Sequence, residues 1–141
     1  MKIHETKHFN VEAVDKPHIP RTDGGHIRIY PKKPFLDRTK MTEEQAIEFV
    51  KLTITMGKAF KTAMKNRGIE LMRINYQDMG NWAFQRGEVP EWHMHLYGRA
   101  KNAKNQPYFE ALKLPNRSTG YYDKFEPLNE DDVKEIQKCI E

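Results

Sequence analysis

Residues 89–99 read Val-Pro-Glu-Trp-His-Met-His-Leu-Tyr-Gly-Arg, and their pattern decides the predicted fold. Polar and apolar side chains alternate along Glu91–Arg99, which predicts a β-strand with two unlike faces. We expect the apolar face, which carries Trp92, Met94 and Leu96, to pack against a helix. The polar face places two imidazoles between a carboxylate and a phenol, from Glu91, His93, His95 and Tyr97. Because a strand fixes its side chains rigidly, this outer face is the predicted functional site.

The residues alone leave three interpretations of this polar face open. The first is an exposed strand face that holds two histidines without a chemical role. The second is a metal site in which His93 and His95 share one ion and Glu91 adds an oxygen ligand, although no further His or Cys clusters with them in the sequence. The third is nucleophilic catalysis by one histidine, with its neighbour as the polar or proton-transfer partner.

The composition narrows the class of protein. The chain has 141 residues, of which 38% are hydrophobic, 31% charged and 11% aromatic, and this balance predicts one globular domain over residues 1–141. No apolar run is long enough for a membrane-spanning helix, and the first residues lack the apolar stretch of a secretory signal. The single cysteine, Cys139, excludes a disulfide framework and a multi-cysteine zinc site, so we expect a reducing, cytoplasmic setting.

The net charge is +4, and the basic residues are spread along the chain. This spread predicts a basic surface that attracts small anionic substrates, and no specific nucleic-acid binding. We expect Cys139 to be a half-buried, inert thiol. Three histidines outside the predicted site, His4, His8 and His18, are expected at the surface.

Short apolar stretches predict three further strands, over His8–Val14, His26–Tyr30 and Glu70–Gln77. The intervening segments Lys16–Gly25 and Asp78–Pro90 contain glycines and prolines and are predicted as loops. The four strands favour an antiparallel sheet.

Two helices are predicted from their end signals. Thr42-x-x-Gln45 has the spacing of a capping box, and it starts a long helix that runs to about Asn66, before Gly68. Asn129 caps a short C-terminal helix, and residues 100–128 before it are predicted to be mostly irregular. The predicted fold class is therefore α+β, an antiparallel sheet with one long helix packed on it.

Apolar side chains of the long helix cover an arc broader than one sheet-facing stripe, with Phe49, Met56 and Phe60 toward one edge. An arc of this width predicts burial on two sides, by the chain's own sheet and by a second subunit, which would form a homodimer. A single large core that covers the whole arc explains the pattern equally well.

The stretch around His93 resembles the histidine-triad (HIT) family, whose signature is His-φ-His-φ-His-φ-φ, where φ is apolar. His93 and His95 match the second and third signature histidines, and Glu91 stands at the first position. Residues 25–33 (GHIRIYPKK) resemble the family's Gly-His-φ-φ-φ-φ-Pro-Lys-Lys strand, and residues 42–45 resemble the start of its long helix. The resemblance covers about residues 8–99 and leaves residues 100–141 as a C-terminal extension.

This resemblance implies a HIT-like fold and a nucleotide hydrolase or nucleotidyl transferase. His93 would attack the α-phosphorus of a dinucleoside polyphosphate or a nucleoside phosphoramidate and form a nucleotidyl-histidine intermediate. His95 and Gln77 would donate hydrogen bonds to the phosphate, with Asn75 as the alternative to Gln77. Asp15 would bind the ribose.

The resemblance also implies that the reaction needs no metal or other cofactor and that the protein pairs through its long helix as a homodimer. His26 matches a family position with a structural role. Glu91 departs from the signature and adds negative charge near the phosphate, where it could orient an imidazole or a water molecule. Two alternatives follow from this departure: a nucleotide-binding module that has lost catalysis, or a metal-dependent hydrolase that uses Glu91, His93 and His95.

Overall fold

The computed structural model describes residues 1–140. Five strands form one sheet in the order β1-β2-β3-β5-β4, and each neighbouring pair is antiparallel. The strands are β1 (Lys2–Glu5), β2 (Phe9–Ala13), β3 (His26–Pro31), β4 (Leu71–Asp78) and β5 (Met94–Ala100). The helices are α1 (Glu43–Asn66), α2 (Trp82–Gln85) and α3 (Glu130–Cys139). The α+β class, the antiparallel sheet and both predicted helices are thereby confirmed.

Three elements differ from the sequence prediction. Strand β1 is absent from the prediction, because Ile3 is its one buried apolar side chain and the alternation is too short to stand out. Helix α2 forms a single turn inside the predicted loop Asp78–Pro90. Strand β5 begins at Met94 instead of Glu91. The backbone N–H of Trp92 donates to Phe35 O at 2.8 Å, so the chain before Met94 bonds to a loop outside the ladder.

The core lies between the sheet and α1. Ile27 and Ile29 of β3 pair with Leu96 and Met94 of β5, and all four side chains are buried on the helix side. Helix α1 begins with the predicted capping box, in which Thr42 Oγ1 accepts from the Gln45 N–H at 3.1 Å and Gln45 Oε1 accepts from the Thr42 N–H at 2.9 Å. The apolar face of β5 is therefore the helix-packed face that the alternation predicts.

The edge of the apolar arc of α1 that carries Phe49, Met56 and Phe60 lies in the chain's own core. Phe49, Met56 and Phe60 are 6%, 0% and 0% exposed. The apolar side chains of α1 that remain at the surface are Ile47, Val50 and Ile54, each about half exposed. The helical pattern gives the width of an apolar arc but not which part of it faces the sheet, so the sequence could not distinguish these two sets of residues. Within residues 1–140, no helix has the length and apolar character needed to cross a lipid bilayer.

A buried ion-pair cluster joins the C-terminal extension to the end of α1. Asp132 at the start of α3 is fully buried and accepts hydrogen bonds from Arg21 Nε at 2.7 Å and Arg67 Nε at 2.9 Å. Burial alone would raise the pKa of this carboxyl, but these donors and the backbone of Asn129 outweigh burial and lower it. Val133 and Ile136 then bury their side chains in the core, so α3 is part of the folded unit.

The irregular residues 101–129 are fixed by two buried polar side chains, and Leu114, Arg117 and Tyr122 among them lie beside the polar face of the sheet. The carboxylate of Asp23 accepts the backbone N–H groups of residues 104–106 at 2.7 to 3.0 Å. Gln106 holds both backbone groups of Lys113, at 2.7 and 3.0 Å. Because their polar groups are satisfied, these irregular residues form a defined cover over the second face of the sheet.

Candidate active site

The candidate site is a cleft of about 740 Å³ on the face of the sheet opposite α1. Its floor is formed by β3 and β5, one wall by the loop between β4 and β5, and the other by residues near the end of β2 and in the C-terminal extension. The floor side chains are His26, Arg28, His93 and His95. Register explains this grouping, because Arg28 pairs directly with His95 across the two strands and puts both side chains on one face.

The orientation of His93 is fixed by a backbone carbonyl. Its Nδ1 lies 2.9 Å from Glu91 O. A carbonyl only accepts, so Nδ1 carries the proton and Nε2 keeps a free lone pair. Burial lowers the pKa of His93, although the hydrogen bond to Glu91 O opposes this effect. At neutral pH the ring is therefore uncharged, which is the form that a nucleophilic histidine requires.

His95 has the opposite tautomer, which is set by a chain of hydrogen bonds beneath the cleft. The backbone N–H of His18 donates to His26 Nδ1 at 3.1 Å, so the proton of the neutral His26 ring is on Nε2. His26 Nε2 lies 2.7 Å from His95 Nδ1 and donates to it. His95 therefore carries its proton on Nε2 and can act as a hydrogen-bond donor.

His18 is buried, which corrects the expectation of a surface residue. Its side chain is covered by Trp82 of α2 and Tyr122 of the C-terminal extension, with ring centroids 5.5 and 5.1 Å away, and its Nδ1 lies 2.7 Å from Tyr97 Oη. The polar face of β5 is likewise covered, since His95 and Tyr97 are 7% and 0% exposed. The covering residues come from distant parts of the sequence, so the strand's alternation could not show this burial.

Burial keeps this histidine cluster uncharged. It lowers the pKa of His18 to about 4 and that of His95 to about 2, with smaller contributions from nearby positive charge and neighbouring histidines. It also lowers the pKa of His26 well below the usual value for histidine. The same burial raises the pKa of Tyr97. The imidazoles of the floor are thus neutral donors and acceptors with fixed directions, beside the charged Arg28.

The cluster also brings three possible metal ligands together. One ring nitrogen from each of His18, His26 and His95 lies within 4.8 Å of the others. If a metal were bound to His26 Nε2, the proton of the neutral ring would have to be on Nδ1. This proton would then face the backbone N–H of His18, and two hydrogen-bond donors would oppose each other. The donor set therefore does not fit a metal at His26, and the group is better described as a hydrogen-bonded chain.

Glu91 contributes its backbone carbonyl to the site, and its exposed side chain lines the cleft. The hydrogen bond that orients His93 is therefore independent of the side chain at position 91. This explains how a carboxylate can replace the first signature histidine without disturbing the ring of the second.

Three other predicted site residues lie outside the residues that line the cleft. The Asp15 side chain is 91% exposed, next to the lining residue Val14, and its carboxylate is 3.4 Å from the N-terminal ammonium. Gln77 pairs with His95 in the ladder, and with Asn75 it lines a shallow groove at the β4 edge. Asn75 Oδ1 accepts from Arg99 Nη1 at 2.6 Å, so this acceptor is already engaged.

Sequence reasoning missed His18 and the cleft residues that follow position 100. His18 lies in a loop with no periodic pattern, and its neighbouring prolines gave only a turn signal. Leu114 and Arg117 line the cleft from the extension, in a stretch without a motif. The basic character of Arg117 was visible, but nothing in the sequence indicates where it folds.

The family model of the HIT domain matches residues 3–102, and the chain therefore belongs to the HIT family. The match confirms the family assignment that was predicted from residues 8–99. HIT proteins are in general nucleotide hydrolases and transferases. No curated protein matches the chain by sequence.

Solved structures share the fold at low identity. A HIT-like protein involved in cell-cycle regulation from Bartonella henselae is 19% identical with a TM-score of 0.63, over 99% of this chain and 85% of that one. A zinc-bound histidine triad family protein from Mycobacterium smegmatis is 18% identical with a TM-score of 0.59, over 99% and 82%. A uridylyltransferase is 13% identical with a TM-score of 0.60, over 99% of this chain and 40% of its own length.

Proposed function

We propose that the protein is a nucleotide hydrolase or nucleotidyl transferase that cleaves at the α-phosphate through a covalent intermediate on His93. The carrying observation is the hydrogen bond from His93 Nδ1 to Glu91 O at 2.9 Å, which leaves Nε2 as a free nucleophile in the cleft. Dinucleoside polyphosphates and nucleoside phosphoramidates are the proposed substrate classes. The cytoplasm, predicted from the sequence, is the proposed location of such a reaction.

The reaction has two steps. In the first, the lone pair of His93 Nε2 attacks the α-phosphorus, a P–N bond forms, and the bond to the leaving group breaks with its electron pair on the leaving group. The ring gains positive charge, which the Glu91 carbonyl stabilises at Nδ1–H. In the second, water attacks the phosphorus, the P–N bond breaks, and the electron pair returns to Nε2 while the water proton is released. A second acceptor in place of water would make the reaction a transfer.

His95 is the proposed donor to the phosphate oxygens. Its tautomer places N–H on Nε2, and hydrogen bonds to oxygens that gain charge in the transition state lower the barrier. Gln77, or alternatively Asn75, is the proposed second donor, on the same face of the sheet as His95. Asp15 is the proposed ribose ligand. Its carboxylate is 91% exposed, next in sequence to the lining residue Val14, and beside its 3.4 Å contact with the N-terminal ammonium it keeps acceptor positions for ribose hydroxyls.

We further propose that the protein is a homodimer. Ile47, Val50 and Ile54 of α1 are 51%, 56% and 53% exposed, and Tyr76 of the neighbouring strand β4 is 45% exposed. Strand β4 is also an edge of the sheet, whose free backbone groups favour pairing with another strand. A twofold axis beside α1 and β4 would cover this apolar surface and the edge together.

A panel of nucleotides assayed with the wild type, His93→Ala and His95→Ala tests the proposed chemistry. We expect His93→Ala to lower turnover by several orders of magnitude with nucleotide affinity preserved, and His95→Ala to have a smaller effect. Wild type mixed with a substrate labelled on the α-phosphate and quenched in alkaline detergent, which preserves a P–N bond to histidine, should carry the label on His93. Near wild-type turnover of His93→Ala would disprove the assignment. Nucleotide binding without turnover in the wild type would identify a module that has lost catalysis.

Chelator treatment separates the metal-dependent alternative. We expect turnover by the wild type to be unchanged after dialysis against EDTA. Loss of turnover that zinc restores would instead favour a hydrolase that uses Glu91, His93 and His95 as ligands.

A further inference from the structure

The second wall of the cleft comes from residues that lie beyond the HIT-domain match at 3–102. Leu114 and Arg117, in the C-terminal extension, line the cleft together with His93 and His95. No role for Arg117 follows from the signature residues, because it lies outside them. Its position beside the proposed reaction centre is a property of this chain's extension.

The segment that carries Arg117 is tied to both rims of the cleft. Asn116 Nδ2 donates to Gln85 Oε1 at 2.7 Å, at the end of α2. Arg117 Nη2 donates to Lys16 O at 2.8 Å, in the loop after β2. From the inner side, Tyr122 Oη donates to Pro115 O at 2.6 Å. The chain around Arg117 is therefore held at three points, and the guanidinium itself is held at one of them, Lys16 O.

Arg117 differs from the other two arginines that line the cleft. Arg28 forms an ion pair with Glu12, and Arg86 pairs with Glu88 at 3.0 Å. Among the described residues, no carboxylate lies within ion-pair distance of Arg117. Its guanidinium carbon instead lies 5.2 Å from the ring centroid of Tyr122, a neutral partner that leaves the charge available.

The positive charge of Arg117 acts on the histidine cluster. The Tyr122 ring is close to both residues, with its centroid 5.2 Å from the guanidinium carbon of Arg117 and 5.1 Å from the ring centroid of His18. After burial, this charge is the next cause of the lowered pKa of His18, and it also contributes at His26. The cleft thus contains a fixed, uncompensated cation beside a floor of neutral imidazoles.

We propose that Arg117 binds the phosphate of the leaving group and makes the site selective for substrates whose leaving group is an anionic phosphate chain over those that release an amine. This inference rests on the proposed function of His93. In the first step the P–O bond breaks and the electron pair stays on the leaving phosphate, which departs as an anion that a guanidinium can bind in bidentate fashion. An amine leaving group would instead need a proton, and the surrounding imidazoles are held neutral.

Steady-state kinetics on two substrates that differ in their leaving group test this selectivity. For the wild type, kcat/KM is measured on a diadenosine triphosphate and on adenosine 5′-phosphoramidate. Arg117→Gln keeps a donor for Lys16 O but removes the charge, and it should lower kcat/KM on the triphosphate by about tenfold or more, with a much smaller effect on the phosphoramidate. Arg117→Lys should restore part of the difference. Lys124→Gln, an equal charge change at an exposed residue of the same extension, is the matched control and should leave both values unchanged.

A binding measurement separates this inference from the proposed chemistry. Pyrophosphate and AMP are titrated into wild type and Arg117→Gln, where no turnover is required. We expect Arg117→Gln to weaken pyrophosphate binding by about tenfold while AMP affinity stays the same. An equal loss on both substrates and both ligands would show that Arg117 only holds the loop, which would overturn the inference. If the wild type cleaves neither substrate, the proposed function fails, and the pyrophosphate titration still decides the role of Arg117 as an anion ligand.

Discussion

His26 Nε2 lies 2.7 Å from His95 Nδ1 at the floor of the cleft, and both rings are buried. Since His26 accepts the backbone N–H of His18 at its other nitrogen, the direction of this hydrogen bond is fixed. His26 therefore sets the tautomer of His95, which goes beyond the structural role predicted for it. In the proposed reaction it is a positioning residue that acts on the substrate through His95.

His26→Phe should lower kcat more than it raises KM. The variant removes the donor to His95 Nδ1 and frees His95 to adopt the other tautomer, so we expect kcat to fall by roughly tenfold to a hundredfold. His26→Gln is the matched variant, because an amide can accept from the His18 N–H and donate to His95. Steady-state kinetics on one substrate with both variants checks this. If His26→Gln were as impaired as His26→Phe, the direction of the hydrogen bond would not matter.

The buried histidines predict a loss of stability in mild acid. Each has a pKa near 6.5 when unfolded and a lower one when folded, about 4 for His18 and about 2 for His95. Below pH 6.5 the unfolded chain therefore binds more protons than the folded chain, and the free energy of unfolding falls as pH falls. The loss is about 1.4 kcal/mol per pH unit for each histidine, and for His18 it ends near pH 4.

Urea unfolding at pH 7, 6 and 5 measures this dependence. We expect the free energy of unfolding of His18→Gln to fall less steeply with decreasing pH than that of the wild type. The difference in slope corresponds to one bound proton, whatever the stability of the variant at pH 7. Equal stability of the wild type at pH 7 and pH 5 would contradict the burial of neutral imidazoles.

Asp15→Ala should weaken binding of ribonucleotides and spare an abasic phosphate ester. A carboxylate that accepts hydrogen bonds from ribose hydroxyls contributes about tenfold or more to affinity. Titration calorimetry with AMP and with a simple alkyl phosphate measures the difference. Asp131→Ala, an exposed carboxylate on α3, is the control for net charge. The ribose assignment is lost if both ligands bind equally less well to Asp15→Ala.

The proposed dimer has a mass of twice the 16.7 kDa of one chain. Ile54→Glu should give a folded monomer in light scattering at micromolar concentration, because the charge would be buried at the interface without a partner. Thr62→Glu introduces the same charge at an exposed position further along α1 and should leave the dimer intact. A wild-type peak at 16.7 kDa would leave the exposed apolar surface of α1 and β4 without this explanation. Phe60→Glu tests the core instead, since Phe60 is fully buried within one chain.

The local patterns of the sequence predict the elements, and the contacts between distant residues determine the site. The capping box of Thr42 and Gln45 and the alternation of Met94 and Leu96 act over a few residues, so they could be read directly. Which strands are neighbours, and hence that Arg28 lies beside His95, depends on the sheet order. Sequence periodicity contains no information about that order.

The candidate site shows the same division. His93 and His95 were predicted because two histidines on one strand face are visible as a spacing. His18 was misplaced because Tyr122, more than a hundred positions later, is what covers it. The role of the Glu91 backbone was also out of reach, since a carbonyl group is present at every position and only its direction distinguishes it.

The extension bears on how this protein should be cut for expression. A fragment that ends at residue 102 would keep every position of the HIT-domain match but would lose Tyr122, which covers His18, and the apolar side chains of α3. The imidazole rings of the floor would then meet bulk water, and with it they would regain the ordinary acid–base behaviour of histidine. In this chain the residues that surround the histidines of the floor therefore extend beyond the segment that matches the family. Activity measured on a truncated fragment would not represent the whole chain.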